Sequence, residues 1–136
     1  MNLAERVAAT EKVVARFRDR PFEWGKERTC IHLARAQMRA LGHKPPTVPR
    51  FRSALTATRA LKATGHDTLE GLLDSLLPRI APAEMWVGDL ALMEGEPPFH
   101  AIVIAAGGKV LGYHEDTPER GIVPIEVESF IGAWRL

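Results

Sequence analysis

The sequence predicts an α+β domain. Apolar residues recur at helical spacing through the first half of the chain, and from about residue 85 the pattern changes to short β-prone runs. Two of those runs are joined through Gly107-Gly108, which suits a tight hairpin turn. Helices first and then an antiparallel sheet of three or more strands is the α+β arrangement. At 136 residues and 46% hydrophobic, the chain is long enough for one core and too short to favour two, so a single domain over residues 1–136 is expected.

Each element has its own signal. Leu3, Val7, Val13, Val14 and Phe17 predict a first helix over residues 2–18, which RDRPFEWGKER interrupts. Thr29 is a good N-cap, Leu33, Ala34, Met38 and Leu41 form an apolar stripe, and Gly42 is a stop, giving a second helix over about 30–41. HKPPTVPR is a loop. Residues 52–63 predict a third helix, and DTLEGLLDSLL a short amphipathic one capped by Asp67. WVGDLALM, HAIVIAA, KVLGYHE and GIVPIEV are the strand candidates before the closing SFIGAWRL. There is no repeat and no low-complexity linker.

Composition narrows the chemistry. One cysteine makes neither an internal disulfide nor a Cys-type zinc site. No stretch approaches the roughly 18 apolar residues of a membrane span, and MNLAERVAATEKVVARF is charged throughout. No membrane partner is expected, and the chain reads as cytoplasmic at synthesis. Residues 28–66 hold eight Arg or Lys and no acid, whereas residues 67–136 hold twelve acids against four bases. Either the basic segment meets an anionic partner such as nucleic acid, or the two halves pack and neutralise each other. Without aromatic interleaving or a nucleic-acid motif, the second is expected, with no nucleic-acid partner.

Cys30 falls in the first turn of the second helix. Unpaired N–H groups and the positive end of the helix dipole favour thiolate there, which suits a nucleophile. Its base would be an imidazole held by a further polar group. His100, behind Pro97-Pro98-Phe99, opens the HAIVIAA run, and His114, Glu115 and Asp116 lie on its hairpin partner. A two-residue loop at Gly107-Gly108 places Glu115 opposite His100, while one bulge or a loop longer or shorter by one residue places His114 there. The residues alone leave the third member open.

The ordered features, WG, a helix-starting Cys, Gly-Asp-Leu before a strand, and His before a Gly-turned hairpin, resemble the NlpC-type peptidoglycan endopeptidases. These are compact papain-like cysteine peptidases, with N-terminal helices packed on a C-terminal antiparallel sheet. PFEWGKERTC, VGDLALM and the terminal AWRL are most similar to a small phage- and prophage-associated branch. The resemblance runs from about Phe22 to Trp134. It implies Cys30 as nucleophile and oxyanion N–H donor, His100 as base and His114 as the third polar residue, with Glu115 as the competing choice. Gly88 and Asp89 match a structural turn leading into the sheet. The chain departs from the pattern at Thr29, where Asp is usual, and at Ile31-His32, where Ser-Gly is common.

The resemblance implies hydrolysis of an amide in a cell-wall peptide, without metal or organic cofactor. Its partners would be peptidoglycan peptides or phage tail proteins. A lysis pore, or incorporation into a tail that makes the protein virion-associated, would carry it to the wall. A catalytically silent phage-tail assembly module of the same fold is the alternative. Trp24 and Thr29 lie close enough in sequence to Cys30 to line a cleft, although Trp24 and Trp134 read first as packing residues. His32 points away from Cys30 on the helix and is expected to be structural. His43 and His66 adjoin helix-terminating glycines, and no HxxxH pair suggests a metal site.

Overall fold

The computed structural model describes residues 1–95 and 99–136, so Pro97 and Pro98 lie outside the described residues. Four helices come first, α1 (Leu3–Phe17), α2 (Cys30–Ala40), α3 (Ala54–Ala63) and α4 (Leu69–Leu76). Six strands follow, β1 (Arg79–Ile80), β2 (Leu90–Met93), β3 (Ala101–Ala105), β4 (Val110–Tyr113), β5 (Ile122–Ile125) and β6 (Gly132–Trp134). They form one antiparallel sheet in the order β1-β6-β2-β3-β4-β5. The α+β expectation is met.

Caps place the helices. Asn2 accepts from the Glu5 N–H at 2.8 Å and starts α1. Thr29 accepts from the Ile31 and His32 N–H groups and starts α2 at Cys30, as its sequence position predicts. Ser53 and Thr56 form a capping box on α3. The expected Asp67 cap of α4 is corrected to Thr68, whose hydroxyl accepts from the Gly71 N–H at 3.1 Å. Two good capping residues stand side by side there, and the one three residues before a free N–H does the work.

The sheet sorts side chains by alternation. Leu90, Leu92, Ile102, Ile104, Tyr113, Ile122 and Trp134 join the main core with residues of all four helices. Ala91, Val103, Val110, Ile125 and Ala133 form a smaller cluster of alternate parity. Gly107 (φ +64°) and Gly108 (φ +41°) make the β3–β4 turn with both central residues left-handed, the signature of a type I′ hairpin. Ala105 pairs with Val110 and Ile104 with Leu111, the register that a two-residue loop demands. The paired ladder stops there. Val103 lies over Gly112, where a Cβ would come within 2.6 Å of the Val103 Cγ1.

At one end of the β2–β3 ladder, α1, α2 and the turn before β2 are tied by buried polar groups. Gly88 (φ +94°) leaves no room for a Cβ, which would fall 2.8 Å from Thr10 Oγ1. The Gln37 amide, wholly buried, donates to Thr10 Oγ1 and to the Gly88 carbonyl, each at 3.0 Å. Asp89, also wholly buried, accepts from Arg6 at 2.8 Å, the Leu136 N–H at 3.0 Å and the Trp86 N–H at 2.8 Å. Gly88 and Asp89 therefore form the structural turn that their sequence context implied.

Charge is arranged differently from the expectation. Among the described residues, no basic side chain of the 28–66 segment forms an ion pair with an acid of the second half. The paired acids of that half instead meet Arg6, Arg79 and Arg135. The two halves pack together without those ion pairs.

Candidate functional site

The other end of the β2–β3 ladder opens into a cleft of about 640 Å³ that brings together Trp24, Thr29, Cys30, His100, His114 and Glu115. Local geometry builds its first wall. Glu23 and Arg28 bridge back to back around a short turn at Trp24–Lys26, and Glu27 takes a left-handed φ of +58° to close it. The Phe22 N–H donates to the Pro118 carbonyl at 2.8 Å, which fastens this loop to the β4–β5 connection. Phe22 then meets Trp24 edge to face at 5.2 Å and Tyr113 at 5.3 Å. Trp24 continues to Phe51 at 5.8 Å and Phe99 at 6.0 Å, giving the cleft an aromatic side.

Cys30 is half-buried at the first position of α2. The backbone N–H groups of Ile102, Cys30 and Ile31 stabilise negative charge on its sulfur. Burial nevertheless outweighs them and pushes the thiol up from its ordinary value. The acidified thiol expected from the helix start is thus corrected: desolvation wins over the dipole, and any thiolate needs a further positive partner.

His100 lies just before β3 rather than within it, in a left-handed conformation at φ +61°. For a non-glycine residue this region is sparsely populated, and here it turns the chain at the mouth of the cleft. The Nδ1 of His100 is buried with no hydrogen-bond partner among the described residues. His114 follows β4 and its Nδ1 accepts from the Asp116 N–H at 3.1 Å. Glu115 is exposed. The β3–β4 pairing ends before either reaches His100, so register does not choose between them.

Three residues confirm simpler roles. Thr29 is 1% exposed, and with its oxygen accepting two N–H groups its hydroxyl donates to the His32 Nδ1 at 2.8 Å. His32 packs on Phe51 at 5.2 Å and burial pushes its pKa down, as suits an imidazole kept neutral by that bond. Trp134 is wholly buried and donates to Asp74 at 2.9 Å, a core residue.

Other cleft residues were not singled out in the sequence. Glu94, Glu126 and Glu128 join Glu115 in lining the cleft from three separate connections, and among the described residues no Lys or Arg lines it with them. Tyr113 is 6% exposed, and burial raises its pKa to about 12, with Cys30 raising it further while Arg28 and Arg20 oppose. Strand alternation was the available signal, since Tyr113 shares parity with Leu111 and so faces the helices. Among the described residues, no cluster of three or more His, Cys, Asp or Glu could hold a metal ion, and no helix is long and apolar enough to cross a membrane.

The chain thus folds as helices packed on one face of an antiparallel sheet. The solved NlpC/p60 domain of the peptidoglycan hydrolase SagA has this fold, with a TM-score of 0.59 and 18% identity over 100% of both chains. The chain itself belongs to the family described as a domain of unknown function, DUF6950, whose model matches residues 1–136. No curated protein matches it.

Proposed function

We propose that this domain hydrolyses an amide bond in bacterial cell-wall peptides through Cys30, with His100 as base and His114 as the residue that orients it. One observation carries the proposal: Cys30 lies at a helix start, with backbone N–H groups at its sulfur, in one cleft with two histidines. The fold shared with an NlpC/p60 domain supports the same reading.

The chemistry follows from the groups present. Because burial raises the thiol, the resting nucleophile is the protonated thiol, and its proton moves to His100 as sulfur attacks the carbonyl carbon. The C=O π pair moves onto oxygen, and the N–H of Cys30 stabilises that oxyanion. Collapse expels the amine, which takes the proton from His100. Water then resolves the thioester. The carboxylates of Glu94, Glu115, Glu126 and Glu128 favour peptides that carry a free ammonium group.

The test is incubation with defined cell-wall stem peptides and crosslinked dimers, followed by mass spectrometry for new amine and carboxyl ends. Cleavage by the parent and none by Cys30→Ala is the expected result. The competing role is a catalytically silent module of phage tail assembly. If the parent cleaves none of a broad panel, while Cys30→Ala retains whatever partner binding the parent has, that role replaces the peptidase.

A further inference from the structure

Tyr113 is the only tyrosine in the chain, and its hydroxyl is buried with no hydrogen-bond partner among the described residues. The ring has a packing role against Phe22, which a phenylalanine would fill equally well. The hydroxyl adds nothing to that packing and costs stability where it stands. The residue lines the same cleft as Cys30 and His100, on the helix-facing side of β4.

Its protonation state is settled by its surroundings. With a pKa raised to about 12, mainly by burial, the group remains an O–H near neutral pH, and negative charge at Cys30 strengthens that preference. A buried donor without an acceptor, on a residue that shares its cleft with a thiol, matches the requirement for stabilising an anion that exists only during reaction.

We propose that the Tyr113 hydroxyl donates a hydrogen bond to the oxyanion formed when the Cys30 sulfur adds to the substrate carbonyl, alongside the backbone N–H of Cys30. No proton leaves Tyr113 in this step: the S–C bond forms, the C=O π pair passes to oxygen, and the thiol proton goes to His100. The role rests on the peptidase reading above, in which Cys30 is the nucleophile.

Tyr113→Phe tests it against two thiol probes. A peptide aldehyde forms a hemithioacetal whose oxygen occupies the oxyanion position, whereas iodoacetamide is attacked at an sp³ carbon and forms no oxyanion. The variant should bind the aldehyde about 10–100-fold more weakly and lose about 10²-fold in kcat with KM little changed. Its alkylation rate should match the parent's and its thermal midpoint should equal or exceed it, since an unpartnered hydroxyl is removed. Biosynthetic 3-fluorotyrosine labels this position alone, and its ¹⁹F resonance should shift on aldehyde binding, which keeps the test open should the phenylalanine variant fold poorly. Equal aldehyde affinity and kcat in parent and variant, or an unmoved resonance in a protein that binds the aldehyde, overturns the role and leaves the peptidase intact. A parent that neither cleaves nor binds the aldehyde overturns both.

Discussion

The two ends of the β2–β3 ladder treat buried polar groups in opposite ways. At the Asp89 end, both carboxylate oxygens are engaged by Arg6, Trp86 and Leu136, and Arg135 Nε stands 3.0 Å from Oδ2 in ionic contact. The Arg6 guanidinium also donates to the Leu136 and Val87 main-chain oxygens, at 2.6 Å and 3.1 Å. Among the described residues, Gln37 Oε1 and Arg135 Nε lack a hydrogen-bond partner there, but the first belongs to an amide that donates twice and the second keeps its ionic contact with Asp89. At the cleft end, His100 Nδ1 and the Tyr113 hydroxyl are buried without partners, and His100 holds a strained φ. Satisfied groups lock three elements together, whereas unsatisfied ones cost stability until something binds. One end keeps the fold, and the other is built for a visitor.

The largest test of that division is at the thiol. Cys30→Ala and His100→Ala should each lower cleavage by about 10³-fold or more, and the double variant should fare no worse than either, as for members of one catalytic unit. Their thermal midpoints should stay near the parent's. A large loss of stability in Cys30→Ala would make the cleft end structural after all. The raised thiol gives this pair a pH signature. In His100→Ala, alkylation of Cys30 should rise only above the pH at which a free cysteine titrates, because burial favours the protonated form. A parent profile identical to that variant's would remove the imidazole from the thiol's surroundings.

Asp89→Ala addresses the opposite end. It leaves Arg6 and Arg135 buried or half-buried around a missing charge, and should cost about 3–5 kcal/mol in urea unfolding. Activity per folded molecule should hold. A cost below about 1 kcal/mol would show that the network is dispensable.

The finest distinction lies between neighbours. His114→Asn should lower kcat by about 10²-fold, since an orienting partner fixes the tautomer of the base. Glu115→Gln, at an exposed side chain, should leave kcat almost unchanged. The reverse order would transfer the orienting role to Glu115.

Signals that act within a few residues were legible in the sequence. Thr29 capping Cys30 and the Gly107-Gly108 turn are local devices, and both stand where their neighbours predicted. What depends on distant partners was not. The strand β6 is only Gly132–Trp134, too short for alternation to show, yet it pairs with β1 and β2 on either side. The charge split gave no hint that Arg6, far upstream, would serve Asp89. At the cleft, the types and order of Cys30, His100 and His114 were visible, because chemistry restricts which residues can serve. The net direction of the thiol's pKa was not, because it depends on how deeply the surrounding fold buries the sulfur. Tyr113 was missed for a related reason: a lone tyrosine in a strand looks like core, and only the packing around it leaves the hydroxyl unpartnered among the described residues.

The placement of β6 also sets the order in which the sheet can assemble. Strands β2 to β5 follow one another as a meander, so each pairing closes a short loop. β6 enters between β1 and β2 only when Ala133 reaches Ile80 and Ala91, a much longer closure with a larger entropic cost. The meander should therefore form early, with β6 arriving late. In pulse-labelled amide exchange during refolding, protection of β6 amides should lag that of β3. Simultaneous protection would mean that the sheet forms in one step.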